Sequence, residues 1–190
     1  MTAPVTGSHD LPRIAEIGLE AMPGTGRRVV IVPCVPALLP EYASVSDPVA
    51  DLRTACVAAV AWLDSDVRVI ADDALGERVA ESLLGKASTP GATDLLVVAN
   101  GSARRSEKAP GHLDERAAAY DQQMGELLAR GDVAGLSGLD PALGRELLVA
   151  GAGVWSTLVS EGIDVQSVTT DHAEDPFGVM YWVVRWQCAS

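Results

Sequence analysis

The side chains best suited to chemistry in this chain are gathered in one stretch, Leu95 to Gly111, which reads LLVVANGSARRSEKAPG. Its polar part presents Asn100, Ser102, Arg104, Arg105 and Lys108 directly after an apolar run. The two arginines are the residue type that grips a carboxylate or phosphate bidentately, and Ser102 with neighbouring backbone N–H groups would complete an anion cradle. The competing role is structural, with the arginines paired to Glu107, Asp114 or Glu115 to hold the helix that follows. Cys34 ends another apolar run and would border the same crevice. A thiol there is reactive only if something lowers its pKa, and no histidine lies near it in sequence. The alternative is a small buried filler.

Other constellations offer less. His9, His112 and His172 are dispersed, and no HxxE, HxH or HExxH spacing occurs, so no standard metal site is expected. A non-standard one would have to assemble Cys34, Asp72, Asp73 and His172. Ala150 to Ser156, AGAGVWS, has the spacing of a GxGxxG dinucleotide fingerprint with Ser156 in the last position. That motif needs a strand immediately before it, whereas Asp140-Pro141 starts a helix there, so a contact between helices through small residues is expected instead. Ser102 lacks a GxSxG elbow, which argues against a serine hydrolase.

These groups need elements to position them. Leu95 to Ala99 is a short apolar run bounded by turn residues and predicts a strand buried on both faces. Ligands of open α/β sheets gather at the carboxyl ends of such strands. Val29 to Val32 and Val67 to Ala71 predict two further strands, the first followed by a proline-rich loop from Cys34 to Glu41. Asp47-Pro48 is a helix start, and Val49, Leu52, Cys56, Val60 and Leu63 form the buried stripe behind it. Further helices are predicted over Leu75 to Leu84, stopped by Gly85, and Leu113 to Arg130, stopped by Gly131. Another starts at Asp140-Pro141 with Leu143, Leu147 and Leu148 inward. After Gly151 and Gly153 a helical pattern resumes from Val154 to Val159. Ile163 to Thr170 and Gly178 to Gln187 predict the last strands, with Met180, Trp182, Val184 and Trp186 alternating onto one face. The short loop between them, Asp171 to Phe177, implies an antiparallel hairpin. The expected fold is α/β, with a mixed, mostly parallel central sheet and helices on both faces. Residues 1–28 are expected to be a flexible extension ending in a Pro23 to Gly26 linker, and residues 29–190 one domain.

Composition narrows the partners. The chain has 190 residues, a formal net charge of -12, and a hydrophobic fraction of 48% of which little is aromatic, so its core is mostly Ala, Val and Leu. Acidity on this scale argues against nucleic acid and against an anionic membrane surface as partners. Three cysteines give no disulfide framework, no secretory signal is visible, and no run approaches the roughly 20 apolar residues of a membrane span. A cytoplasmic protein is expected.

With these residues in place, the chain from Val29 to Trp186 resembles the class III extradiol ring-cleavage dioxygenases, in particular the catalytic LigB subunit superfamily that also holds the Memo proteins. VVIVPCVPALLPE is similar to that family's first strand and its Pro-His-Pro-Pro loop. NGSARRSEKAPGHLDERAAAYDQQM resembles its Gly-Asp-x-Ser-His-Arg loop, Ala-Pro-Gly turn and following helix. ALGRELLVAGAGVWSTLVSEG is similar to the next helix pair, and DPFGVMYWVV to the closing strand. SARRSEKAPG resembles a short actinobacterial branch. The resemblance implies a LigB-like fold and a crevice at the strand ends. In the family a non-haem Fe(II) sits there, held by two histidines and a carboxylate. Here Cys34 and Ala103 stand at the histidine positions and Asn100 or Gly101 at the acidic one, so the ligand set is not retained and no cofactor is expected. The expected function is a non-catalytic protein that binds a small anionic or aromatic ligand, or a protein partner or second copy. Asn100, Ser102, Arg104, Arg105 and Cys34 are its candidate binding residues. The alternative is a metal-dependent ring-cleavage enzyme with non-standard ligands.

Overall fold

The computed structural model describes residues 26–42 and 47–189. The expected extension over residues 1–28, with its linker and His9, falls almost wholly outside them. Five strands form one sheet in the order β2-β3-β1-β5-β4, where β1 is Arg28–Val32, β2 Val67–Ile70, β3 Asp94–Val98, β4 Val165–Glu174 and β5 Tyr181–Cys188. β3 pairs in parallel with β1 and β2, and β5 runs antiparallel to both β1 and β4. The chain is therefore α/β with one mixed sheet. All five residues of β3 are buried, as its apolar run requires of a strand covered on both faces.

Alternation along the strands divides the core in two. Val29, Ile31, Leu95, Val97, Trp182, Val184 and Trp186 face one side. There they meet α3 (Arg116–Arg130), α4 (Val133–Ser137), α6 (Val154–Ser160) and the residues around α5 (Pro141–Glu146). Val30, Val32, Leu96, Val98, Tyr181 and Val183 face the other, against α1 (Ala50–Val60), α2 (Ala74–Leu84) and the 3-10 turn Pro36–Leu38. The stripe of α1 is buried as its spacing predicts, from Val49 through Leu63. Trp186 also donates its indole N–H to the Leu128 carbonyl at 3.0 Å, which ties β5 to α3.

Several expectations need correction. The helix after Asp47-Pro48 starts at Ala50, because the Asp47 carboxylate accepts from Val49 N–H and binds Arg53 rather than capping the first turn. Leu148 does not face inward. It is 46% exposed at φ 58, where the chain reverses after α5. β4 runs on to Glu174, so His172 lies on a strand opposite Val183 and not in a hairpin loop. A register shift between Thr170 and His172 absorbs the extension, and the bidentate pair of Arg185 with Asp171, at 2.7 and 2.8 Å, holds it. No helix among the described residues is long and apolar enough to cross a membrane.

The glycine that ends α3 tests this packing. Gly131 has φ 65, and a Cβ there would lie 2.5 Å from Val165 Cγ1, whereas Gly85 has φ 66 with open space around it. G85A should cost about 1–2 kcal/mol for the left-handed backbone alone. G131A should cost roughly 3 kcal/mol, because overpacking against β4 adds to the strain. Urea unfolding of the two variants checks this, and equal losses would show that α3 and β4 do not meet as described.

Candidate functional site

The chain leaves β3 at Val98 and immediately becomes the loop that carries Asn100 to Lys108. The path of its first half is set by backbone hydrogen bonds. Ala99 N–H donates to Val32, Asn100 to Ala150, Gly101 to Met180, Ala103 to Leu147 and Arg105 to Gly178, each at 2.8–3.0 Å. Met180 N–H returns a bond to the Ser102 carbonyl, so the loop is laced to the segment entering β5. Gly101 allows this approach. A Cβ there would sit 2.7 Å from both the Met180 Cβ and the Trp182 ring. The backbone N–H groups of Asn100 to Ala103, beside Ser102, are thus already engaged within the protein.

Side chains lock the same path. Ser102 is fully buried; its N–H and hydroxyl donate to the two Asp121 oxygens of α3 at 2.7 and 2.6 Å. Asn100 is buried as well, accepting from Cys34 N–H at 2.6 Å through Oδ1 and donating to the Cys34 carbonyl through Nδ2 at 3.1 Å. It joins the ends of β1 and β3 as a strand neighbour would. Three expected binding residues, Asn100, Ser102 and Cys34, therefore hold the scaffold together. Burial, with the Asp73 carboxylate adding to it, pushes the Cys34 thiol up to about 11, the opposite of nucleophile activation.

The two arginines separate. Arg104 lays its stem against Gly111, and its Nε is buried without a partner among the described residues. Arg105 Nε donates to Asp175 in the β4–β5 turn at 2.6 Å, and Nη1 lies 3.5 Å from Asp121. Neither partner is among the acids named from the sequence. Asp114 instead takes Arg116, which also reaches Glu146. Arg105 and Asp121 border a recess of about 340 Å³ whose other walls are Ala118, Gln122, Gly125, Met180 and Trp182. Gly125 sits inside the 15-residue helix α3, where glycine costs about 0.5–1 kcal/mol relative to alanine. Its missing side chain leaves the Trp182 indole open. The nearest ring atoms would be 3.4 and 3.5 Å from a Cβ, the second being the indole nitrogen Nε1. Among the described residues that N–H donates to no protein acceptor, unlike its counterpart in Trp186.

The metal reading gains nothing from the geometry. Cys34 and Asp73 are neighbours, but Asp72 accepts from Gly153 N–H at 2.7 Å. His172 faces a separate hollow bordered by Asp47, Leu52 and Glu174. Among the described residues no three His, Cys, Asp or Glu side chains come together to hold a metal ion. The Fe(II) of the resembled family does not fit the residues here, since Ala103 has no donor atom and both amide atoms of Asn100 serve the Cys34 backbone. The Gly151-to-Gly153 stretch is a turn pressed against Ala99 at the end of β3, neither a nucleotide loop nor the expected helix contact. Sequence reasoning missed Asp121, Gly125, Asp175 and Trp182. The only available signal was an aspartate and a glycine within an otherwise helical pattern.

Asp121 makes the site sensitive to pH. Burial raises its carboxyl pKa above the ordinary 3.8, and the Ser102 hydrogen bonds and the Arg105 charge oppose that shift without cancelling it. The folded state therefore holds the Asp121 proton to higher pH than the unfolded state does. The stability this contributes is complete below pH 3.8 and is lost as pH rises through the folded value. Relative to D121N, which has no such titration, the native protein should gain stability as pH falls through this window. Paired urea titrations between neutral pH and pH 4 measure it. A difference that stays constant would show that the Asp121 charge is not disfavoured by burial.

No protein-family model matches the chain, and no curated protein matches it significantly.

Proposed function

We propose that this chain is a LigB-like α/β protein of the class III extradiol dioxygenase superfamily that works in the cytoplasm without iron, as a binding protein for a small anionic or aromatic ligand. The ligand would sit in the recess beside α3 and not at the strand ends. The observation that carries this reading is Arg105, with 26% of its side chain exposed, at the mouth of a recess walled by an indole and opened by a helical glycine. A guanidinium beside an aromatic wall is a common arrangement for small-molecule recognition. The absence of an imidazole set at Cys34, Ala103 and Asn100 supports the non-catalytic part of the proposal.

Two measurements on the purified full chain test it together. Anaerobic loading with ferrous iron followed by desalting should leave no stoichiometric metal, and incubation of the loaded sample with catechol and oxygen should produce no ring-cleavage absorbance. In a thermal shift assay, probes such as benzoate and inorganic phosphate should include at least one that raises the unfolding midpoint, and R105A should lose that response. One iron per chain together with ring-cleavage product would overturn the proposal in favour of an oxygenase.

A further inference from the structure

Resting on the ligand-binding reading above, we infer that the recess takes a compact carboxylate with an apolar body, that Gly125 is the residue that keeps it open, and that Asp175 competes with the ligand for Arg105. The free donors of the recess are the indole N–H of Trp182 and the Nη2 of Arg105, neither with a partner among the described residues, while Gln122 in its wall donates through its amide nitrogen to Glu126 at 3.1 Å and keeps its oxygen as an acceptor. The one carboxylate in the wall, Asp121, already accepts from Ser102 through both oxygens and lies 1% exposed, so it has little left to offer a ligand donor. A ligand that engages the two donors must bring acceptors. Apart from Gln122, the remaining walls, Met180, Ala118 and the indole face, are apolar, and about 340 Å³ lies at the small end of ligand pockets. A molecule of one ring or a short branched chain fills it.

Gly125 supports the same reading from the side of helix physics. Glycine is among the poorest helix formers, and here an alanine Cβ would meet the Trp182 ring at ordinary contact distance, with no clash to forbid it. Neither backbone geometry nor packing requires the glycine, whereas an open indole face does. Asp175 supplies the third part. It holds Arg105 Nε at 2.6 Å from an exposed turn, 43% accessible, in the position an incoming carboxylate would take. An exposed pair of this kind is weak and exchangeable.

Isothermal titration of the full chain with benzoate, cyclohexanecarboxylate, benzamide and inorganic phosphate tests the inference. Benzoate and cyclohexanecarboxylate should bind, with benzamide and phosphate at least about tenfold weaker because each lacks one half of the match. G125A should weaken benzoate about fivefold while leaving the unfolding midpoint equal or higher, and G125V should abolish binding. D175N should tighten benzoate, because the competitor for Arg105 is gone, and a purely structural Asp175 would not produce that sign. Binding of benzamide as strong as that of benzoate would overturn the carboxylate assignment while leaving a ligand site standing. Unchanged benzoate affinity in G125V would overturn the recess itself. Silence from both carboxylates at millimolar concentration would overturn the inference, and the broader ligand reading would fall with it only if benzamide and phosphate were silent too.

Discussion

The Asp121 carboxylate beneath Ser102 is the contact on which the local architecture depends. It is buried, and two short hydrogen bonds from one residue of the loop engage both its oxygens. Hydrogen bonds to a charged group contribute about 1.5–3 kcal/mol each, but only by offsetting the cost of taking that charge out of water. The carboxyl pKa is still raised, so the offset is incomplete. Asp121 holds the strand-end loop to α3. Through that loop it fixes the ladder to Met180 and Gly178 and the position of Arg105 beside the β4–β5 turn.

The proposed ligand site accordingly lies away from the usual place. In an open α/β sheet the crevice at the carboxyl ends of the strands is the default place. Here Asn100 bridges β1 to β3 in that crevice, the N–H groups of Ala99 to Ala103 all have protein acceptors, and the Gly151 turn presses on Ala99 from above. The same bonds bring Arg105 out on the flank of these strand ends. There Gly125 and Trp182 leave an open hollow bordered by the Arg105 guanidinium.

Much of the scaffold was legible in the sequence because it rests on periodicity. The run Leu95 to Val98 reads as a strand with two covered faces, the spacing of Leu52, Cys56 and Val60 as a helix stripe, and the Trp182, Val184, Trp186 alternation as a one-sided core strand. Asp140 caps the helix it precedes by accepting from Ala142 and Leu143 N–H, as its pairing with Pro141 indicates. The candidate site was legible only in part. Arg105 was visible as a charge in a loop, but its partners lie 16 and 70 residues away, and nothing local encodes such contacts. Asp121 sits in a helix rich in polar residues, where an aspartate ordinarily faces water. The extension of β4 to Glu174 likewise depends on Arg185 reaching across the sheet to Asp171. Ser102 was read as a ligand group because its one decisive neighbour, a buried carboxylate, belongs to the next helix.

The central proposal is spatial: a ligand binds on the flank of α3 and not at the carboxyl ends of the strands. Amide and indole chemical-shift mapping of the isotopically labelled protein during a benzoate titration tests it most directly. The account predicts that the Trp182 indole N–H, Gly125 and Arg105 resonances move together and saturate, while Cys34, Asp72 and Ala103 stay in place. Movement concentrated at Cys34, Asp72 and Ala103, with Trp182 unaffected, would contradict it and return the site to the carboxyl ends of the strands.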